Sequence, residues 1–338
     1  MSRLFEFQKE TPDFEVLSET GAAEAKQLIT SIIDNIETVI TGKRKQVELV
    51  VFCLLAEGHV LIEDLPGTGK TSLVSALAKT IDCGYSRIQF TPDVMPSDVT
   101  GFSIFNQKTG EFEFRKGAAM SNLVLADEIN RASAKTQSSM LEIMEERQVT
   151  VDSHTYKMEA PFMVLATQNP IDSLGTYQLP EAQIDRFMIK MSMGYPSLND
   201  EIDIVLSGKR NKSRISYVTD SSSVVDLIGR AERVFVSRQL ASYIVHLTTA
   251  TRNHPDVKIG SSPRGSIALL NLSRAYALYQ GRNYVEPEDI RYLATYTLSH
   301  RLILNHAAKT AKRDPASVVQ DILKSVSVPV ADEGRSQE

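Results

Sequence analysis

Val60–Ser72 reads VLIEDLPGTGKTS, a short apolar run, a loop with two glycines, and a lysine at the start of the next segment. The length and flanks of Val60–Ile62 predict a buried strand of a parallel sheet. The alanines and leucines that follow Thr71 predict a helix. Gly67 and Gly69 allow successive backbone N–H groups to turn inward around an anion. This strand–loop–helix unit predicts a phosphate-binding loop, around which we expect the fold to be built.

The side chains after the glycines suit nucleotide chemistry. Lys70 can reach the β and γ phosphate oxygens, and the Thr71 hydroxyl can bind Mg²⁺. Asp64 stands where the usual pattern has its first glycine; aspartate tolerates unusual backbone angles, so we expect the loop to form. A glycine-rich turn that only reverses the chain would explain an isolated match. It explains poorly a match that lies between a predicted strand and a predicted helix.

Further short runs that resemble buried strands predict a parallel sheet. They cover Arg87–Phe90, Leu123–Ala126, Phe162–Ala166 and Phe187–Met191. Helical stretches separate them, so we predict an α/β fold with a doubly wound, five-stranded parallel sheet, which binds ligands at the carboxyl ends of its strands.

Helical periodicity dominates the later part of the chain and predicts a second, smaller domain. We place the α/β domain at residues 1–197 and an all-helical domain at residues 198–338, with a disordered tail from about residue 331. In the first domain, apolar residues at three- and four-residue steps between Leu28 and Ile40 predict an amphipathic helix that faces the core.

Polar side chains follow two of the predicted strands. Asp127 and Glu128 come directly after Leu123–Ala126, and Asn169 follows Phe162–Ala166. Asp127 can hold Mg²⁺ through water, Glu128 can act as the general base on the attacking water, and Asn169 can orient that water. An acidic pair that merely caps a helix is the alternative, which the upstream phosphate loop disfavours.

Two arginines complete the candidate set. Arg186 precedes the fifth strand, and Arg264 opens a helix of the second domain. Either could be an ordinary surface charge. Phosphoryl transfer gains from a cation on the developing charge, often supplied by a neighbouring subunit, so both are candidates for that role.

Composition excludes several other classes. The net charge of -5 disfavours a protein that coats nucleic acid, which needs a concentrated basic face. The two cysteines and six histidines lack metal-ligand spacing. No apolar run approaches the roughly 18 residues of a membrane span, and the N-terminus lacks a signal sequence. We therefore expect no membrane insertion and a cytoplasmic location.

Taken together, these residues resemble the MoxR family of AAA+ ATPases, in the branch that also holds the magnesium-chelatase ATPase subunits. The resemblance extends from about Ile29 to Pro329. The matching stretches are Leu61–Thr71, Arg87–Asp93, Asp127–Ala132, Ala166–Pro170 and Leu179–Phe187.

The resemblance assigns roles to the candidates. It implies that Lys70 and Thr71 belong to Walker A, that Asp127 and Glu128 form Walker B, and that ATP and Mg²⁺ are the cofactors. It further implies that Asn169 is sensor 1, that Arg186 is the arginine finger, that Arg264 is sensor 2, and that Arg131 is a further trans-acting residue. The nucleotide contacts it implies are Ile40, Gly42, Pro66, Gly67, Thr68, Gly69, Lys70, Thr71 and Ser72. Thr71 and Asp127 are the implied metal ligands.

Partners also follow from the resemblance. Members of the family are thought to remodel protein clients, often with partners that carry a von Willebrand factor A domain, and the finger role of Arg186 calls for a ring, most simply a hexamer. Phe102–Phe114 and Val149–Met158 are the implied hairpin insertions. Two other functions remain open. A DNA-acting AAA+ motor or transcriptional regulator would need a basic stripe that the sequence lacks, and a nucleotide-gated scaffold with negligible turnover would be expected to lack Glu128 or Arg186.

Overall fold

The computed structural model describes residues 16–64, 67–169, 177, 179–207 and 215–329. The helices are α1 (Glu19–Glu37), α2 (Arg44–Leu55), α3 (Lys70–Thr80), α4 (Pro96–Thr100), α5 (Ala134–Glu146), α6 (Glu181–Ile184), α7 (Leu198–Ser207), α8 (Ser221–Glu232), α9 (Arg238–Asn253), α10 (Pro263–Tyr279), α11 (Pro287–Leu298), α12 (His306–Thr310) and α13 (Pro315–Ser325). The strands are β1 (Val60–Glu63), β2 (Tyr85–Gln89), β3 (Gly101–Asn106), β4 (Glu111–Lys116), β5 (Leu123–Asp127), β6 (Gln148–Val151), β7 (His154–Lys157), β8 (Met163–Gln168), β9 (Ile189–Met191), β10 (Val257–Ile259) and β11 (Ile303–Leu304). Short 3₁₀ turns cover Ile129–Arg131 and Ser299–Arg301.

Five strands form the central sheet in the order β2-β5-β8-β1-β9, and every neighbouring pair is parallel. These are the five predicted strands, so the predicted doubly wound α/β sheet is confirmed. β1 lies between β8 and β9, and Glu63 at its end lies opposite Gln168 at the end of β8. The polar residues that follow the two strands therefore meet at one edge of the sheet.

Alternate residues of the strands face two hydrophobic clusters. Val60 and Ile62 belong to a cluster that includes residues of α1, α2 and α3, whereas Leu61 belongs to a cluster on the other face that includes residues of α5. This alternation follows from the two-residue period of a strand. Burial on both faces explains why the three inner strands, β1, β5 and β8, are nearly continuous apolar runs.

Helix α1 carries most of the predicted core-facing stripe, but it ends at Glu37, so Val39 and Ile40 lie beyond it. Its buried side chains include Ile29, Ile33 and Ile36. They pack against α2 and α3 of the α/β domain and also against α8 and α10 of the second domain. A single helix thus contacts both parts of the chain.

Two antiparallel hairpins project from the α/β domain at the predicted positions. Strands β3 and β4 pair from Gly101 opposite Lys116 to Asn106 opposite Glu111. Strands β6 and β7 are joined by Asp152 and Ser153, both with positive φ, as a two-residue hairpin turn requires. The ring of Phe114 stacks on that of Tyr156 at a centroid distance of 4.0 Å, so the two hairpins contact each other.

We call residues 215–329 the lid. Most of it is helical, and the helices that begin at Pro287 and Pro315 have proline in their first turn. The lid is not entirely helical, because β10 and β11 form a short antiparallel pair. The domain boundary near residue 198 stays a prediction, and the predicted tail from residue 331 lies outside the described residues. In the described part of the chain, no helix has the length and apolar character needed to cross a membrane.

Candidate active site

The glycine-rich loop connects β1 to α3. Gly67 and Gly69 have φ values of 87° and 89°, in the region that favours glycine. Lys70 is the first residue of α3, and its Nζ donates a hydrogen bond to the Asp64 carbonyl oxygen over 3.1 Å. The N-terminal amides of α3 are therefore presented beside the loop, where they favour an anion. Pro66, a predicted contact, lies outside the described residues.

Asp64 has a structural role that the sequence did not reveal. Its Oδ2 atom accepts hydrogen bonds from the backbone N–H groups of Met193 and Gly194 over 2.5 and 2.9 Å, and from the Ser192 hydroxyl over 3.2 Å. The carboxylate thereby ties the end of β1 to the segment after β9. A glycine at this position could not make these bonds.

Asp127 ends the buried strand β5, between β2 and β8. Its Oδ1 atom accepts a hydrogen bond from the Thr167 hydroxyl over 2.7 Å, and its Oδ2 atom pairs with Arg87 Nη2, also over 2.7 Å. The contacting side chains come from the two neighbouring strands. Sheet order and register therefore fix the orientation of this carboxylate.

Glu128 is held by three neighbours. Its Oε2 atom accepts a hydrogen bond from Gln89 Nε2 over 2.9 Å and pairs with Arg131 Nε over 3.1 Å, while its backbone N–H donates to the Thr167 hydroxyl over 2.8 Å. Its backbone is left-handed, with φ 56° and ψ 48°, a conformation that costs free energy in a residue other than glycine. Such strain at a strand end is typical of functional sites.

These groups line one cleft of about 360 Å³. The lining residues are Asp64, Gly67, Gly69, Lys70, Thr71, Ser72, Arg87, Gln89, Asp127, Glu128 and Asn169. The structure therefore brings the predicted loop, the acidic pair and Asn169 together. Arg87 and Gln89 were missed as site residues, although the strand that carries them was predicted. Their alternation on that strand was the signal, because it places both on one face.

The cleft also suits a hard divalent cation. The Asp127 carboxylate and the Thr71 hydroxyl are both in its wall, and Mg²⁺ prefers oxygen ligands completed by phosphate and water. These two residues fit the predicted metal site.

A second cavity, of about 170 Å³, lies along α3 and shares Thr71 and Ser72 with the cleft. Val39 and Ile215 give it an apolar side. Neither Ile40 nor Gly42 lines either cavity: Ile40 is buried, and Gly42 lies against the Asp200 carboxylate. Their contact with adenine stays a prediction.

Arg186 and Arg264 lie elsewhere. Both pair with Glu145 near the end of α5, Arg186 through Nε over 2.8 Å and Arg264 through Nη2. They line a cavity of about 250 Å³ together with Gly58 and His59, which precede β1. This cavity is at the opposite edge of the sheet from Lys70. From Ala134 to Glu145, helix α5 covers a length of roughly 15–20 Å at 1.5 Å per residue.

Two protein families match the chain. The first, described as the ATPase family associated with various cellular activities (AAA), matches residues 59–189, and the second, an AAA lid domain, matches residues 249–322.

Individual relatives match over nearly the whole chain. The chain is 49% identical to protein YeaC of Bacillus subtilis over 305 residues, which are 90% of this chain and 95% of that protein. It is 39% identical to Chaperone MoxR1 of Mycobacterium tuberculosis over 317 residues, 91% of this chain and 84% of that one. A crystal structure from Cytophaga hutchinsonii, described as that of a proposed ATPase, matches with a TM-score of 0.87 and 37% identity, covering 92% of this chain and 98% of that chain.

Proposed function

Since the chain belongs to the MoxR family of AAA+ ATPases, we propose that it hydrolyses ATP within a homo-oligomeric ring and uses that hydrolysis to remodel a protein partner. The observation that carries the proposal is the single cleft that contains Lys70, Asp127, Glu128 and Asn169. These residues lie at or after the ends of three strands, β1, β5 and β8, and the order of strands in the sheet brings these ends together.

The cleft offers a complete set of groups for phosphoryl transfer to water. The loop amides and Lys70 bind the phosphates, Asn169 orients the attacking water, and Glu128 accepts its proton. Gln89 and Arg131 hold the Glu128 carboxylate and restrict its position. Thr71 and Asp127 would hold Mg²⁺, which neutralises charge on the β and γ phosphates.

The arginines support a ring. Arg186 and Arg264 lie at the edge of the sheet opposite the loop, so neither reaches the phosphates of its own subunit. In a closed ring of identical contacts, that edge of one subunit can face the cleft of the next. We propose that both arginines act in trans and that the ring is a hexamer. The trans role of Arg131 stays a prediction, and its guanidinium pairs with Glu128 of its own subunit.

The hairpins support a protein partner. Phe105 and Phe112 pair near the tip of the first hairpin, with 50% and 74% of their surface exposed. Exposed aromatic side chains are common at protein contacts. The hairpin between Phe102 and Lys116 carries both acidic and basic residues, so it is not the basic surface that nucleic acid needs. We propose a partner with a von Willebrand factor A domain, and a cytoplasmic location.

The first experiment separates binding from hydrolysis. Lys70→Ala should abolish both ATP binding and turnover, whereas Glu128→Gln should retain ATP and lose most turnover. Nucleotide binding by calorimetry and phosphate release measure the two effects. Near-normal turnover in Glu128→Gln would remove Glu128 as the base.

The second experiment tests the trans arrangement. Arg186→Ala subunits, inactive alone, should regain part of their turnover when mixed with Lys70→Ala subunits, because some interfaces then combine an intact loop with an intact arginine. Native mass spectrometry verifies that mixed rings form. No recovery in verified mixed rings would contradict the trans role.

The third experiment identifies the class of partner. A purified protein with a von Willebrand factor A domain should raise turnover, and shortening Phe105–Phe112 should weaken that response while basal turnover persists. The parallel measurement uses single- and double-stranded DNA at moderate salt. Strong stimulation by DNA alone would replace the remodelling function with a DNA-acting motor.

A further inference from the structure

Glu145 lies between Arg186 and Arg264, the two arginines proposed to act on the nucleotide of the neighbouring subunit. Its Oε2 atom accepts from Arg186 Nε, and its Oε1 atom contacts Arg264 Nη2. One arginine precedes the last strand of the sheet, and the other is in the first turn of α10 in the lid. A single carboxylate on α5 thus connects two cations from different parts of the chain.

The contacts leave part of each guanidinium group available. In the described part of the chain, Arg186 makes its side-chain contact through Nε alone, so both terminal nitrogens remain for a phosphate. Arg264 makes its side-chain contact through Nη2 alone. The exposed fractions of the side chains are 28% for Arg186 and 48% for Arg264. The carboxylate therefore fixes the orientation of the two groups without covering them.

Neighbouring contacts hold the backbone of both arginines. Asp185 Oδ1 accepts from Arg301 Nε, and its Oδ2 atom accepts from the Ser262 hydroxyl, each over 2.8 Å. The Arg301 side chain is only 2% exposed and also donates to backbone carbonyls of Phe187 and Met188. Asp185 precedes Arg186, and Ser262 caps the helix of Arg264. The contacts of Asp185 therefore hold the backbones of the two arginines in place relative to each other.

The charge of the cavity favours an anionic ligand. Its charged lining residues are four arginines and three carboxylates: Arg147, Arg186, Arg264, Arg301, Glu57, Glu145 and Asp185. The hydrogen bond from Arg186 and the nearby charge of Arg264 hold the pKa of Glu145 below its ordinary value. Glu145 is therefore ionised at neutral pH. Glu145, Arg186 and Arg264 together then keep one net positive charge.

We propose that Glu145 is a positioning residue, which aligns Arg186 and Arg264 as a pair that contacts the phosphates of ATP bound to the next subunit. The inference rests on the proposed ring ATPase. Two guanidinium groups that repel each other would otherwise spread apart, and the carboxylate offsets that repulsion. Misplacement of a catalytic group by about 1 Å can cost on the order of 100-fold in rate.

The test compares Glu145→Gln with Glu142→Gln, a matched control one turn earlier on the same exposed side of α5. Glu145→Gln should lower kcat by roughly 10- to 100-fold and change KM for MgATP by less than about threefold, because the arginines act mainly on the transition state. Glu142→Gln should leave both unchanged. Unchanged or increased kcat in Glu145→Gln would overturn the proposal, and an increase would identify Glu145 as an inhibitory latch instead.

Two further measurements separate positioning from a general structural effect. Glu145→Gln subunits should regain turnover when mixed with Lys70→Ala subunits, which supply an intact Glu145 to the neighbouring cleft; subunits that enter mixed rings have folded. In addition, Arg186→Ala, Arg264→Ala subunits with and without Glu145→Gln should recover the same turnover when each is mixed with Lys70→Ala subunits. The proposal would be contradicted if Glu145→Gln subunits lost turnover and did not regain it in mixed rings. It would also be contradicted if adding Glu145→Gln to the Arg186→Ala, Arg264→Ala subunits lowered the recovered turnover. If the Arg186→Ala mixture recovers while Glu145→Gln retains full kcat, the ring ATPase stands and this inference alone fails.

Discussion

At the residue scale, His59 shows how burial converts a titratable side chain into a structural one. Its Nδ1 atom accepts from the Val164 N–H over 3.0 Å, and its Nε2 atom contacts the Met144 carbonyl over 2.9 Å. Only the neutral ring with a proton on Nε2 satisfies both bonds. Burial lowers the pKa of His59 to about 4.

This shift predicts a pH dependence of stability. The unfolded chain binds a proton to His59 near the ordinary pKa, and the folded chain does not, so the stabilisation is complete above about pH 6.5 and is lost as pH falls toward 4. The free energy of unfolding should fall by about 2 kcal/mol from this source between about pH 7.5 and about pH 5. Urea unfolding at both pH values measures it. His59→Gln should have a smaller pH dependence, and an equal one would contradict the assignment.

Asp64 provides a second prediction at this scale. Asp64→Gly restores the commoner form of the phosphate loop but removes the acceptor of two backbone amides, one of them the N–H of the buried Met193. We expect a loss of about 2 kcal/mol or more in the free energy of unfolding. Asp64→Asn keeps a side-chain oxygen and should lose less. Thermal unfolding of the nucleotide-free protein measures both, and a more stable Asp64→Gly would be the contrary result.

At the element scale, the Phe114–Tyr156 stack joins the two hairpins. An aromatic pair contributes about 0.5–1.5 kcal/mol beyond its buried area, enough to populate one relative arrangement. Tyr156→Ala should therefore weaken stimulation by the partner while basal turnover is retained, since neither ring lines the nucleotide cleft. Tyr156→Phe keeps the stack and is the control. Equal stimulation in all three proteins would show that the hairpins act independently.

Sequence patterns predicted the elements better than the contacts between them. The five core strands and the loop could be predicted because apolar runs and glycines act locally. The contacts of Asp127 with Arg87 and Thr167 could not, because they depend on β2 and β8 flanking β5. The strands β10 and β11 are three and two residues long, too short to show a period.

At the scale of the whole molecule, the α/β domain and the lid share one hydrophobic cluster. The fully buried ring of Phe52 in α2 lies 5.5 Å from that of Tyr276 and 5.0 Å from that of Tyr279 in the lid, measured between centroids. We therefore expect the two parts to unfold together.

Hydrogen exchange tests this expectation. Peptides from β1 and from α10 should open with the same free energy, and Phe52→Ala should lower both by about 3–5 kcal/mol. Ile204→Ala, on the exposed side of α7, is a control that should change neither. Exchange of lid peptides at a clearly lower free energy than the sheet would contradict joint unfolding.

Swinging the lid away from the α/β domain would expose to water the α1 side chains that pack against α8 and α10, at a cost of roughly 1.5–3 kcal/mol for each fully buried isoleucine among them. A subunit built in this way would act as a stiff lever and not as a clamshell. In the ring proposed above, the free energy of each ATP would then be released as rotation between neighbouring subunits, and the hairpins would move with the subunits that carry them.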